Sequence, residues 1–263
     1  MTFSAHHDET IQRTVEYFKT QPDVEALLLG GSLAHGFAAP SSDVDVMIII
    51  SEAEHRRRLA NNDLQFFTTE LATYPGGYID GKYISAAFLE QVAQHGSEPA
   101  RFAFADAQIL FSRTDGLDEQ LQRIVRYPVE DKISRIERFV AQLNAWYWYA
   151  GEADKKRNTY LADVAASKLL LFGGRMILAH NELLYPFHKW FLAVLARAER
   201  KPEGLIEVMQ RYSASPSYAG ATEFYNLITN FRSWEGDPKQ WPNHFMLDTE
   251  LTWMNGSPPI DDL

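Results

Sequence analysis

The chain of 263 residues contains no cysteine. This absence excludes disulfide bonds, thiol catalysis and cysteine metal sites, and it is typical of proteins that work in a reducing compartment. No apolar run approaches the roughly 18 residues that a membrane-spanning helix needs. The first residues, MTFSAHHDETIQ, lack the positive start and apolar stretch of a secretory signal. We therefore expect a cytoplasmic protein without membrane association.

Positive charge is scarce in the first part of the chain. Residues 1–120 hold 8 Lys and Arg against 18 Asp and Glu, whereas residues 121–263 hold 17 of each, so the whole net charge of −10 arises before residue 121. A general nucleic-acid binder needs a basic surface, so we expect no nucleic-acid partner. An anionic ligand held by the first part would need cations from the second part or from a metal.

Residues 27–50, LLLGGSLAHGFAAPSSDVDVMIII, are the most informative stretch. The apolar runs LLL and MIII predict buried strands, which disfavours an edge hairpin with solvated acids. Side chains alternate along a strand, so Asp43 and Asp45 point the same way. Two neighbouring carboxylates repel unless a cation lies between them, and Mg²⁺ is the hard cation that oxygen ligands favour. The pair is therefore a candidate metal site.

Two glycines and a serine end the first of these strands. Gly30 and Gly31 have no side chains, so a phosphate can approach the backbone closely. Ser32 adds a hydroxyl at the start of a predicted helix, whose N–H groups favour anions. The stretch predicts a phosphate cradle facing the acid pair, and we include Ser42, next to Asp43, among the nucleotide-binding residues.

The pattern Gly-Ser, ten residues, Asp-x-Asp between two apolar strands resembles the DNA polymerase beta-type nucleotidyltransferase superfamily. More narrowly, it is similar to small enzymes that add nucleotides to aminoglycoside and lincosamide antibiotics. The resemblance implies transfer of a nucleoside monophosphate, most simply AMP, from ATP or another nucleoside triphosphate to a hydroxyl of a small-molecule acceptor, with release of pyrophosphate. It also implies two Mg²⁺ ions on Asp43 and Asp45, a role in antibiotic resistance and a homodimer.

In that superfamily a third carboxylate lies on the strand next to the Asp-x-Asp strand, where it binds metal or acts as base. Asp80 is the only acid in the strand-like segment YIDGKYI, so the resemblance assigns this role, catalytic and metal-binding, to Asp80. Asp80-Gly81 is also a hairpin-turn dipeptide, and the turn alternative stays open.

From residue 129 onward the apolar period is helical. Residues 160–184 are apolar nearly all round, with one polar row of Lys168, Arg175 and Glu182. This row is either a solvated face or the source of cations, with Lys168 and Arg175 reaching the triphosphate. Trp146, Tyr147 and Trp148 are candidates for stacking on adenine or a sugar.

We therefore expect an α/β (α+β) nucleotidyltransferase domain over residues 1–120, with a mixed sheet flanked by helices, and an all-α helical bundle over residues 121–263. Within the first domain we expect a helix from residue 52 to about residue 71, and we expect His6 and His7 to form a solvated tail.

Other functions with the same motif remain open. The enzyme could adenylylate a protein, or the chain could be a non-catalytic nucleotide-binding or antitoxin-like partner. The intact Asp43 and Asp45 pair with Gly31-Ser32 disfavours the non-catalytic alternative. A polymerase or tRNA-end enzyme is disfavoured by the acidic charge balance.

Overall fold

The computed structural model describes residues 4–236 and 239–256. The chain divides into two compact units, Met1–Arg126 and Tyr127–Leu263. The first contains α1 (Ala5–Lys19), β1 (Val24–Leu29), α2 (Gly31–His35), β2 (Val44–Ile50), α3 (Glu52–Ala60), β3 (Gln65–Thr68), β4 (Ile79–Ile84), α4 (Ala86–His95), α5 (Glu98–Phe102), β5 (Gln108–Ser112) and α6 (Leu117–Val125).

The five strands form one mixed sheet in the order β3-β4-β2-β1-β5. The central pair β2 and β4 is parallel, and the other three pairings are antiparallel. The predicted fold class, a mixed sheet with flanking helices followed by a helical part, is confirmed. The parallel pair matters for the site because it aligns the beginnings of β2 and β4 at one edge of the sheet.

Apolar side chains cover both faces of the sheet. On one face Val46, Ile48 and Ile50 pack in the same cluster as Ile11 and Phe18 of α1. On the other face the core includes Leu28 and Ile49 of the sheet with residues of α4 and α6, namely Leu89, Val92, Leu117, Leu121 and Ile124. Because α6 packs into this core, it belongs to the first unit, which ends at Arg126.

The expected helix over residues 52–71 is wrong in its second half. The helix ends at Ala60, and the polar run Asn61-Asn62-Asp63 follows it, with Asn62 in the left-handed region at φ 54°. Such a residue stops an α-helix. The chain then forms β3, whose side chains alternate between exposed and half-buried positions as an edge strand requires.

The second unit is helical, as expected. It contains α7 (Lys132–Lys156), α8 (Thr159–His180), α9 (Phe191–Ala196), α10 (Leu205–Ala214), α11 (Tyr218–Thr229) and α12 (Trp241–Phe245). Close packing on α8 depends on two glycines, because a Cβ at Gly173 would lie 2.6 Å from Cζ of Phe224 and one at Gly174 would lie 2.3 Å from Cζ of Phe191. In the described residues no helix is both long and apolar enough to cross a membrane.

Candidate nucleotide-binding and catalytic site

Asp45 and Asp80 are paired residues on the parallel strands β2 and β4. Asp80 lies inside β4, so the alternative that Asp80-Gly81 forms a turn is wrong. Paired residues of adjacent strands project to the same face, and Val46, Ile79 and Gly81 occupy the opposite one. The Asp80 carboxylate also accepts a 3.3 Å hydrogen bond from the side-chain amide of Gln65 on β3. The sheet therefore brings the two acids side by side.

Asp43 immediately precedes β2, as Tyr78 immediately precedes β4. The Val44 amide donates to the Tyr78 carbonyl at 3.1 Å, which continues the strand pairing to this edge. Interaction with the Asp43 carboxylate, first by hydrogen bonding and then by its charge, raises the pKa of Tyr78. The charges of Asp45 and Asp80 raise the same pKa further. One phenol hydroxyl thus lies within the field of all three predicted carboxylates.

Gly31 lies directly against the Asp45 carboxylate. Its φ is +60°, and a Cβ built there would lie 1.7 Å from Oδ2 of Asp45, so any side chain would displace the acid. The Gly30 amide donates to the Asp45 carbonyl at 2.9 Å, which continues the pairing of β1 with β2. The glycine pair therefore fixes the distance between the end of β1 and the acid.

The Ser32 hydroxyl is a buried polar atom that needs a partner. Ser32 is 4% exposed, and its Oγ has no hydrogen-bond partner among the described residues. A buried hydroxyl without a partner costs free energy unless a ligand or water satisfies it. Because Ser32 follows the glycine pair, this hydroxyl fits a phosphate oxygen.

The loop before Asp43 is held by residues from distant parts of the chain. The Ser42 carbonyl accepts hydrogen bonds from Nε2 of His7 at 2.9 Å and from the hydroxyl of Tyr74 at 2.5 Å. His7 is only 2% exposed, so the expectation of a solvated tail is wrong for this residue. Burial, followed by the charge of Asp43, raises the pKa of Tyr74. The Ser42 hydroxyl accepts from the Ala39 amide at 2.9 Å, and nucleotide binding by Ser42 stays a prediction.

The predicted carboxylates suit a divalent cation only together with other ligands. Among the described residues, no group of three or more His, Asp or Glu side chains is arranged to hold a metal ion. Mg²⁺ usually binds one or two protein carboxylates and completes its shell with water and substrate phosphates. The oxygen donors of Asp43, Asp45 and Asp80 fit that kind of shared site.

The two predicted cations lie on α8 of the second unit. Arg175 lies over two rings, with its guanidinium carbon 4.4 Å from the Phe139 centroid and 4.6 Å from the Tyr185 centroid. It also lines a cavity of about 500 Å³ with Arg135 and Arg138. Arg138 makes two 2.7 Å hydrogen bonds with the Asp248 carboxylate, which neutralises much of its charge. Arg175 thus lies in a pocket lined by three arginines and two aspartates.

Lys168 is exposed, and its Nζ lies 6.0 Å from the Trp146 ring. Glu182 does not extend the polar row, because it lies beyond the end of α8 with φ 57° and pairs with Lys132 at 2.7 Å. The expected row of three polar side chains along one helix is therefore reduced to Lys168 and Arg175. Their contact with a triphosphate stays a prediction.

The three adjacent aromatic residues of α7 have different environments. The Trp146 indole donates to the Gln142 side chain at 3.1 Å and packs against Tyr149 and Phe245. Tyr147 and Trp148 line a separate cavity. Consecutive helical residues project in different directions, so this division follows from the helix geometry. Only the latter two are placed to contact a ligand in that cavity.

Comparison with known families identifies the class of the chain. A family model described as nucleotidyltransferase domain matches residues 11–170, which is more than half of the chain. The chain therefore belongs to the nucleotidyltransferase domain family. Membership implies a nucleoside triphosphate substrate, and the family generally uses a divalent metal.

Among solved structures, the chain is similar to a nucleotidyltransferase-like protein from Exiguobacterium sibiricum 255-15. The two share 12% sequence identity with a TM-score of 0.44, over 94% of this chain and 87% of that chain. No curated protein matches the chain.

Proposed function

We propose that this protein transfers a nucleoside monophosphate, with AMP as the first candidate, from a nucleoside triphosphate to a hydroxyl of a small-molecule acceptor and releases pyrophosphate. One observation carries the proposal. Gly31 lies so close to the Asp45 carboxylate that a Cβ would overlap it, and the next residue is Ser32, whose buried hydroxyl has no hydrogen-bond partner among the described residues. The groups to which we assign phosphate binding and metal binding are thus separated by one glycine, which supports transfer of a phosphoryl-linked nucleotide.

Each residue of the site has a proposed role in this reaction. The Ser32 hydroxyl donates to a phosphate oxygen, and Gly31 lets the triphosphate approach the backbone. Asp43, Asp45 and Asp80 would hold two Mg²⁺ ions, which would neutralise phosphate charge and lower the pKa of the acceptor hydroxyl. Asp80 accepts the proton of that hydroxyl or serves only as a ligand, and the Asp80 variant discussed below separates the two roles.

The roles of the second unit's cations, the identity of the acceptor, the location and the oligomeric state are proposed from the sequence. We propose that Lys168 and Arg175 contribute positive charge to the triphosphate, since the first unit is poor in cations. An aminoglycoside- or lincosamide-like acceptor, and with it a role in antibiotic resistance, is supported by the resemblance of the Gly-Ser and Asp-x-Asp pattern. A homodimer is a proposal with the same support, whereas a cytoplasmic location is proposed from the lack of cysteine.

The test is pyrophosphate release from ATP, GTP, CTP and UTP with Mg²⁺, with and without a panel of aminoglycosides and lincosamides. Asp43→Asn and Asp45→Asn should each reduce acceptor-dependent release to background while circular dichroism shows the fold preserved. Asp115→Asn, a loss of the same charge at an exposed loop position, is the matched control and should keep full activity.

Normal activity of Asp45→Asn would refute the assigned site. If no small acceptor supports release but Mg²⁺-dependent ATP binding is intact, incubation of a lysate with labelled ATP tests for a modified protein. Labelled protein would then replace the small-molecule acceptor by a protein acceptor. Absence of nucleotide binding would refute the proposed reaction altogether.

A further inference from the structure

A second concave site lies wholly within the helical unit. It is a cavity of about 340 Å³, which we call the aromatic pocket, lined chiefly by Asn144, Tyr147, Trp148, Asp154, Tyr218 and Trp241. Trp148 is 54% exposed and Tyr218 is 40% exposed, so large ring surfaces face solvent here. Small-molecule binding sites are usually concave and lined by aromatic side chains such as these. The pocket is defined by this unit alone and does not depend on nucleotidyl transfer.

The tyrosine rings of the pocket form a regular stack. The Tyr147 ring lies 4.2 Å from that of Tyr225 at an interplanar angle of 12°, and 5.7 Å from that of Tyr218 at 16°. Tyr225 is at the buried end of the stack, and Tyr218 is at the exposed end. Gly151 lies beside this end, since a Cβ there would be in ordinary van der Waals contact with Tyr218, 3.4 Å from its Cε2. The stack therefore presents a fixed ring to the pocket.

The polar atoms of these rings are already bonded to one another. The Tyr218 hydroxyl donates to that of Tyr147 at 3.3 Å, and the Tyr147 hydroxyl contacts Oγ1 of Thr222 at 3.1 Å. The Tyr225 hydroxyl donates to Oδ1 of Asn144 at 2.7 Å, and the amide nitrogen of Asn144 donates to the Val140 carbonyl at 2.8 Å. The pocket consequently offers ring faces more readily than hydrogen-bonding groups.

Asp154 and Lys155 are the charged residues that line the pocket. Lys155 lies at its edge but pairs with Glu152 at 3.0 Å. Within the described part of the chain Asp154 has no ion-pair partner. The pKa of Tyr218 is raised, first by its hydrogen bond to Tyr147 and to a smaller extent by the charge of Asp154. Arg157 lines an adjoining cavity of about 210 Å³ that shares Asp154 and Tyr218 with the aromatic pocket.

Aromatic faces and a carboxylate without a partner are together the features that recognise an organic cation. The ring quadrupole attracts a positive charge placed over its face, and a desolvated cation gains more than a solvated one. A neutral ligand of the same shape gains only the apolar contact. We propose that the aromatic pocket binds an organic ammonium ion, a quaternary or primary amine on a small ring or short alkyl framework.

The test compares choline with its neutral isostere 3,3-dimethylbutan-1-ol on the full chain, by saturation-transfer NMR and calorimetric titration. Choline should bind, and the alcohol should bind about tenfold more weakly because it lacks the cation–π and charge attraction. Trp148→Ala and Asp154→Asn should each weaken choline binding about fivefold. Both positions are exposed, so circular dichroism should show the fold unchanged.

Arg157→Gln is the matched control, since it removes a charge from the same neighbourhood but of the opposite sign. It should leave choline binding as strong as in the unmodified protein, or stronger. Equal binding of choline and the alcohol would overturn the proposal, as would an Asp154→Asn variant that binds choline normally. Absence of any saturation transfer to choline would also overturn it.

Discussion

Tyr78 and Asp43 each lie one position before a strand of the parallel pair β2 and β4, and interaction with the Asp43 carboxylate raises the pKa of the Tyr78 phenol. The register of the parallel pair therefore places Tyr78 and Asp43 at the same edge of the sheet, where β2 and β4 begin. A carboxylate that shares a site with two others gains from a neutral donor, because the donor fixes its direction without adding charge. The relationship makes Tyr78 a positioning residue for Asp43.

Tyr78→Phe should raise the Mg²⁺ concentration needed for half-maximal pyrophosphate release. A hydrogen bond to a charged group contributes about 1.5–3 kcal/mol, and without it Asp43 samples unproductive directions. The control is Tyr83→Phe, which removes a hydroxyl from the same strand on the opposite face and should leave the Mg²⁺ dependence unchanged. A lower Mg²⁺ requirement in Tyr78→Phe would show instead that the phenol competes with ligands for Asp43.

Gly31→Ala should abolish Mg²⁺-dependent ATP binding, because the new methyl group occupies the place of the Asp45 carboxylate. The left-handed backbone adds a cost of about 1–2 kcal/mol for a residue with a Cβ. Gly76→Ala separates these effects, since Gly76 has φ +74° but nothing within 4 Å of its Cβ position. It should lose a similar amount of stability and keep ATP binding. Equal binding by both variants would refute the close approach.

Asp80→Asn should identify the role of the third acid. If Asp80 is the base, kcat should fall about 10²–10⁴-fold while ATP binding and its Mg²⁺ dependence stay unchanged. If it is only a ligand, the Mg²⁺ dependence should shift together with kcat. Lys82→Gln, two residues along the same face of β4 and exposed, is the control and should alter neither. An Asp80→Asn variant with unchanged kcat and Mg²⁺ dependence would exclude both roles.

His7 and Tyr74 should act together on the loop that precedes Asp43. Tyr74→Phe removes one donor to the Ser42 carbonyl, worth about 1 kcal/mol, and should speed amide hydrogen exchange in residues 39–43 about fivefold without any ligand present. His7→Phe combined with Tyr74→Phe should release the loop further and weaken ATP binding. Tyr17→Phe, at an exposed position of α1, is the control. Unchanged exchange in the double variant would show that the loop is fixed by other contacts.

Sequence patterns predicted those parts of the site that are local in the chain. The apolar runs around Gly31 and Asp45 indicate buried strands, and a buried strand fixes which face its acids occupy. Asp80 could be placed beside them only through the resemblance, because nothing local distinguishes a strand Asp-Gly from a turn Asp-Gly. The sheet settles the point by pairing Asp80 with Asp45.

The missed residues depend on contacts between distant parts of the chain. His7 reaches a carbonyl 35 residues away, and the role of Tyr78 requires the register of a parallel pair. Neither is visible as a period or a motif. The sequence feature that could have indicated Tyr74 and Tyr78 is their position on either side of a turn that leads to a strand. The short edge strand β3 was missed because its half-exposed side chains lack a strong apolar pattern.

Alkaline pH should destabilise the helical unit through Tyr212. Burial raises the pKa of Tyr212 from 10.0 to about 12, and the residue is 3% exposed. Below pH 10 both folded and unfolded chains keep the phenol proton, so its contribution to stability is complete. Between pH 10 and 12 only the unfolded chain loses the proton, so the free energy of unfolding falls, by at most about 1.4 kcal/mol per pH unit.

Urea unfolding at pH 9 and pH 11, followed by circular dichroism, measures this effect. Tyr212→Phe should lose less stability between the two pH values than the unmodified protein, because the variant has no phenol to ionise at this buried position. The other buried tyrosines ionise equally in both proteins and cancel in the difference. Tyr160→Phe, at a position 77% exposed, should retain the full pH dependence. If Tyr212→Phe and the unmodified protein lost stability in parallel, the fall would belong to other groups.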